Sequence, residues 1–303
     1  MEQFLVFTGR NLKSYFRDKG SVFFSLLSML IVILLMVFFL GDMYIENTVN
    51  ILSDFPGRDE VADRKNAELL ILIWNFAGIL SINAVTVTLA VYSVMLKDRV
   101  TGKLGSIYTA PVSRGVITGG YMAAAWIASV MVCTFTLFLT EIYGIIKGMD
   151  AFSFVTHMQL MGLIAVNSFV YAAFMYILAM IAKTEGAWSG IGTVIGTLVG
   201  FLGGIYVPIG SLAKSIGTIM KCTPVIYGTS MFRNIMTKDI AEAVFSGVPE
   251  KVLEEYRIVT GIHLELFDRT VGITEEWIGL LVCGILLLAV GIMMLKYGRK
   301  TDR

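Results

Sequence analysis

Six long runs of this chain carry no charged residue: Val22–Gly41, Leu69–Leu96, Gly115–Thr140, Met158–Ala182, Ala187–Ala213 and Trp277–Leu295. A helix rises 1.5 Å per residue and a hydrocarbon core is about 30 Å thick, so each run is long enough to cross a bilayer. In lipid the backbone must satisfy its own hydrogen bonds, which makes each run a helix. The expectation is therefore an all-α integral membrane protein with six spans. Composition agrees: 16% of residues are charged, where a soluble chain has nearer a quarter, and the charges collect between the runs.

Orientation follows from those charges. Six spans place both termini on one side. The segments on that side hold thirteen Lys/Arg against five Asp/Glu, in a chain whose formal net charge is only +1. The positive-inside rule then makes both termini cytoplasmic in the plasma membrane. The first run is longer than a signal-peptide core, and Asp42-Met43-Tyr44 after it offers no small-x-small cleavage site, so it reads as a retained span.

Between the spans, residues 1–20 alternate Phe4, Leu5, Leu12, Tyr15 and Phe16 with Arg10, Lys13 and Arg17, as an amphipathic helix lying in the interface would. Asp42–Glu68 reads as a polar, acidic outer loop with a turn at Phe55-Pro56-Gly57. The last outer segment, 214–276, is the longest. Within it Lys238–Arg257 predicts one amphipathic helix, with Val244, Val248, Val252 and Tyr256 spaced by four.

Catalytic chemistry has no foothold. The chain contains no G-x-x-x-x-G-K-[ST], H-E-x-x-H or G-x-S-x-G, so no catalytic, cofactor-binding or metal-binding residue is assigned. Cys133, Cys222 and Cys283 suit neither a disulfide framework nor a CxxC site. No basic stripe interleaved with aromatics suggests nucleic acid. The acidic pairs Glu254-Glu255 and Glu275-Glu276 read as a solvated face. No charge lies near a span's midpoint. Glu141 at the outer end of the third run is the nearest, and Asn75, Asn83, Asn167, Thr86 and Thr88 read as glue between helices. An ion-coupled carrier usually keeps charges there, so the driving energy is expected to come from elsewhere.

Three features rise above this background. The connection 97–114 between spans two and three predicts a charged turn (Lys97, Asp98, Arg99, Gly102), a short helix with Leu104, Ile107 and Tyr108 on it, and a stop at Pro111 before Arg114. The fifth run carries Gly192, Gly196, Gly200 and Gly204 on one face, which permits close packing within one protomer or at an interface or moving seam. Beyond it, Pro208 is expected to bend or end the fifth helix, leading to Pro224, Tyr227 and Arg233 in a stretch apolar enough for a re-entrant hairpin.

Together these residues resemble the permease subunits of type-2 ATP-binding-cassette exporters. That family has an interfacial helix, six spans, a coupling helix between spans two and three, and a re-entrant outer pair of helices before span six. Thr101-Gly102-Lys103-Leu104 through Ala110-Pro111-Val112-Ser113-Arg114 looks like its coupling segment, with Lys103 where Thr is common. Gly203 to Pro208, Thr223-Pro224, Tyr227 and Arg233 look like its outer motif. The resemblance implies separate ATP-binding subunits that hold ATP and magnesium, a second permease chain, identical or similar, and outward transport of a lipophilic cargo such as a drug, antibiotic peptide or lipid. A self-sufficient carrier or channel, or a membrane-anchored ligand sensor, are the rival expectations.

Overall fold

The structure is a computed structural model, and it describes residues 1–109, 111–266 and 269–297, with the side chains of Ser28, Val37, Tyr108 and Tyr297 left out. Ala110, and Arg299, Lys300, Asp302 and Arg303 of the terminal charge cluster, lie outside the described residues, as does the Tyr108 side chain.

The described residues are almost wholly helical. In order they form α1 (Glu2–Arg17), α2 (Lys19–Leu35), a π turn (Met36–Leu40), α3 (Gly41–Ser53), α4 (Glu60–Val100), α5 (Lys103–Thr109), α6 (Arg114–Ile146), α7 (Phe154–Ile181) and α8 (Glu185–Leu202). A 3₁₀ turn (Ile209–Ser211), α9 (Lys214–Lys221), α10 (Pro224–Val244), α11 (Glu250–Val259), a minimal hairpin of β1 (Glu265–Leu266) and β2 (Arg269–Thr270), and α12 (Ile273–Tyr297) follow. Among the described residues, five helices are long and apolar enough to cross a membrane: Lys19–Ser53, Glu60–Val100, Arg114–Ile146, Phe154–Ile181 and Ile273–Lys296.

The 41-residue α4 is the axis of the molecule. It packs against α2, α3, α6, α7, α8 and α10, and α12 lies outside against α7. The reason is visible in its sequence: from Leu70 to Thr88 nearly every side chain is apolar or small and uncharged, and that stretch is buried on all sides rather than along one stripe. Its few polar groups divide between a neighbouring helix and its own backbone. The Asn83 amide donates to Thr136 Oγ1 of α6 at 3.0 Å, while Thr86 and Thr88 return to carbonyls of their own helix. Asn167 of α7 lies against Gly228 of α10, where an added Cβ would stand 2.4 Å from its amide oxygen.

Four expectations are corrected. The polar outer loop is mostly helix: the first span continues through the π turn into α3, and only residues 54–59 turn before Asp59 caps α4, its carboxylate accepting from Val61 N. Helix is possible there because α3 buries Tyr44, Thr48, Val49 and Leu52 on one face. The fifth run, expected over 187–213, is helical only to Leu202. A Schellman closure ends it, with Gly204 N donating to Phe201 O and Ile205 N to Gly200 O, and Gly204 takes the required positive φ of 62°. Pro208 therefore bends no helix; it leads into the 3₁₀ turn. The single helix expected over Lys238–Arg257 is two, α10 and α11, broken where Gly247 adopts φ 79° and Pro249 begins the next helix. Its four-spaced residues still converge, because Val244, Val248, Val252 and Tyr256 pack in one cluster with Leu52, Ile71 and Trp74. Finally, Glu276 is no part of a solvated face: it is 3% exposed and accepts from the Ser230 hydroxyl of α10 at 3.0 Å, whereas Glu275 is exposed and pairs with Arg269.

Candidate functional site

At the Val100 end of α4 the charged connection is built in two layers. The inner layer is a clamp. Asp98, 3% exposed, receives both guanidinium nitrogens of Arg10 from α1 and, at 2.6 Å, the hydroxyl of Tyr121 from α6. The Arg10 guanidinium is held above its ordinary pKa by that carboxylate, so the pair stays ionic. The helix α1 can lie this close to α6 because Gly119 and Gly120 face it; an added Cβ on Gly120 would stand 2.6 Å from the Phe7 ring. Phe7 then meets Tyr121 edge to face at 5.1 Å. One residue along, Arg99 reaches the other way and donates to the Ala179 and Ala182 carbonyls at 2.9 and 2.6 Å, closing the last turn of α7. The residues Asp98 and Arg99 thus tie α1, α6 and α7 to the end of α4.

The outer layer is α5. Gly102, at φ 74°, turns the chain, and Ser113 caps α6 through Val116 N. Leu104 is 7% exposed and Ile107 half-buried, both in the main core; they seat α5 rather than project from it. What α5 and its flanks present outward is Lys97, Gly102, Lys103, Gly105, Ser106, Thr109, Pro111 and Arg114, all exposed. Between α5 and α1 runs an apolar cleft of about 620 Å³ lined by Val6, Phe7, Ile107 and Val112. Leu5 and Val6 beside it are 61% and 66% exposed.

The structure separates the glycine ladder of α8 into two functions. Gly200 and Gly204 are used internally: the Tyr206 ring occupies the space beside Gly200, where an added Cβ would stand 2.3 Å away, and Gly204 makes the helix stop. Gly196 has open space beside it and Gly192 meets only Leu89 at 3.4 Å. These two line a cleft of about 800 Å³ between α8 and α2, with Ile31, Leu35 and Phe39 opposite. At its start α8 is pinned to α4, Trp188 Nε1 donating to Ser93 Oγ at 3.0 Å.

At the other end of α4, Pro224 starts α10 as its first residue and Tyr227 is half-buried beside it. Arg233, two turns on, is fully buried. Its guanidinium stacks 3.8 Å from the Trp74 ring and donates to Gly204 O at 2.9 Å and Thr260 O at 3.2 Å. It therefore joins the stop of α8, the end of α11 and the wall of α4. Glu141 is likewise used locally: 7% exposed, it accepts from Phe152 N and from His157 Nε2 at 2.9 Å, and so fixes the α6–α7 turn.

The sequence reading missed the partners. Arg10 stands 88 residues from Asp98, and Tyr121 was one aromatic among many in an apolar run. The Gly119-Gly120 pair, facing Phe4 and Phe7, was the available signal for a helix seated on α6.

Comparison with known proteins gives one finding. A family model described as ABC-2 family transporter protein matches residues 59–293. No curated protein and no solved structure matches the chain. The match takes in α4 through most of α12, including the clamp's Asp98, α5, the glycine ladder and Arg233. The chain belongs to the ABC-2 transporter family and is a membrane-embedded permease subunit of an ABC transporter.

Proposed function

We propose that this subunit exports a lipophilic cargo from the cell, driven by separate ATP-binding subunits that hold ATP and magnesium and dock on the α5 end of the bundle. The observation that carries the proposal is the two-layer construction there. An exposed, mostly small and basic surface, with Lys97, Lys103, Ser106 and Arg114 on it, rests on a buried clamp joining α1, α4, α6 and, through Arg99, α7. A push on α5 is delivered to the long helices because Leu104 and Ile107 seat it in the main core. Interlocked side chains transmit displacement rather than absorb it.

In this reading α8 is the sixth crossing. Its 18 residues give about 27 Å of helix, short of a full core, and its stop at Gly203-Gly204 leaves the chain to continue as the outer segment with α9 and α10 as its re-entrant hairpin. The open side of Gly192 and Gly196 and the cleft toward α2 receive a second permease chain, of the same or a similar kind. The mostly apolar lining of that cleft suits a drug, an antibiotic peptide or a lipid better than a charged solute. The basic excess on the α1 and α5 side favours cytoplasmic termini and a complex held in the plasma membrane.

The test is purification of the tagged chain from its native membrane in mild detergent. A stoichiometric ATP-binding subunit is expected with the wild type and lost with Lys103→Glu/Ser106→Glu, two exposed changes that leave the thermal midpoint of the permease unchanged. Leu104→Asp is unsuitable, since it would put a charge into the core. A chain that purifies alone and transports in liposomes without any ATP-binding protein would overturn the proposal.

A further inference from the structure

At the end of α4 opposite α5, helices α3 and α11 close over a pocket of about 330 Å³. Ligand pockets begin at about this size, which suits one ring system. Its floor is aromatic and buried: Tyr44 of α3, Trp74 of α4 and Tyr256 of α11 are between 2% and 8% exposed. Its mouth is formed by residues that are exposed, chiefly Asn47, Glu255 and Val259.

The polar tips of all three floor aromatics are already engaged. Tyr44 donates to Tyr206 O at 2.8 Å and Trp74 Nε1 to Thr260 O at 3.0 Å. Thr48 donates its own hydrogen to Tyr44 O, so in the 3.3 Å contact between Thr48 and Tyr256 the phenol is the donor. Burial pushes the Tyr256 phenol up to about 12, so it remains a donor at neutral pH. Two consequences follow. The floor offers ring surface rather than free hydrogen-bonding groups, and it is fixed in place before anything binds. A preformed site loses less entropy on binding.

The electrostatics have a direction. Behind the floor, Arg233 stacks on Trp74 and shares Thr260 O with it, and among the described residues no carboxylate pairs with that guanidinium. The deep end is therefore biased positive, which disfavours a cation there and favours an electron-rich ring. At the mouth Glu255 supplies the opposite sign.

We propose that this pocket binds a small amphiphile that places one electron-rich aromatic ring on the Tyr44–Trp74–Tyr256 floor and a protonated amine at the mouth beside Glu255. Size sets the single ring, the engaged tips exclude a polar head at the floor, and the two charges set the orientation. The site lies at the far end from the surface on which the transport proposal rests, so each can fail alone. Because α3, α11 and the 3₁₀ turn after Pro208 meet around it, occupancy also ties the outer segment to α4.

The test uses the full chain in phosphatidylcholine nanodiscs and three indoles differing in charge: tryptamine, 3-methylindole and indole-3-acetate. Binding is read by saturation-transfer NMR and by the rise in thermal midpoint. Tryptamine is expected to bind best and indole-3-acetate worst, by about fivefold or more, the scale of one charge contact at a wet rim. Glu255→Gln should bring tryptamine and 3-methylindole to equal affinity. Filling the pocket with Val259→Trp, or with Ile51→Trp should the first variant not fold, should abolish the signal for all three. Equal signals in the wild type and a folded filled variant would mean partition into lipid only and would overturn the proposal. So would no binding of any probe, or an order in which the acid leads.

Discussion

Asp98 shows what a single residue decides here. It stands in a cytoplasmic-looking cluster of Lys97, Asp98 and Arg99, yet its carboxylate is 3% exposed and accepts from Arg10 and Tyr121, while Lys97 beside it is exposed. Helical geometry explains the difference, since neighbours in sequence point about 100° apart and only one of three consecutive side chains faces α1 and α6. Replacing Asp98 with Asn leaves Arg10 half-buried without its anion and weakens the Tyr121 contact. The expected cost is about 1–3 kcal/mol, the usual scale for stranding a partly buried charge. It should appear as a lower thermal midpoint in detergent and as faster proteolysis near α1. Arg10→Lys, which keeps the charge but loses the paired donors, should cost less. A midpoint unchanged by Asp98→Asn would mean that α1 is held by its Phe4 and Phe7 contacts alone.

At the scale of elements, Gly192, Gly196 and Gly200 of α8 and Gly204 just beyond its end serve two different purposes. Gly200→Ala drives a methyl into the Tyr206 ring, and Gly204→Ala forces a side chain into a left-handed conformation. Both should lower the stability of the isolated subunit, by about 1 kcal/mol for the strained backbone alone. A Cβ at Gly196 meets nothing in the subunit and a cleft lies beyond it, so the stability of Gly196→Leu should hold; in the proposed assembly it should instead shift the permease from dimer to monomer by cross-linking or native mass spectrometry. A destabilised Gly196→Leu monomer would contradict the split.

The elements also show what could be read from sequence. The apolar runs were legible because lipid demands them, and α5 was legible from Gly102 and Pro111 at its two ends. The stop of α8 was signalled by Gly203-Gly204, but Pro208 five residues on looked like the stronger breaker. Helix α3 was hidden because its polar residues imitate a loop; only its buried face of Tyr44, Thr48 and Leu52 makes it a helix, and that face exists because α4 and α11 are there to cover it. The burial of Glu276 was not legible at all, since it depends on Ser230 of α10. Nor was the burial of Leu104, which depends on the helices that cover it.

In the whole molecule, one helix serves both ends. The long α4 ends in the Asp98 clamp beneath α5 and carries, in its first half, the Trp74–Arg233 stack beneath the outer segment. On the proposed function the energy is supplied at a surface, which fits a sequence that carries no phosphate-loop motif. The proposal therefore assigns the two ends unequal roles: force enters at α5, and the far end responds.

The most direct test is site-specific photo-cross-linking in native membranes. A photoreactive residue is placed at Ser106 on the exposed side of α5, and in a separate variant at Asn47 on the opposite end. The account predicts that position 106 captures a protein bearing a phosphate-binding G-x-x-x-x-G-K-[ST] loop, identified by mass spectrometry, and that position 47 does not. Capture of that protein from position 47 alone would place the energy source at the wrong end of the molecule and contradict the account.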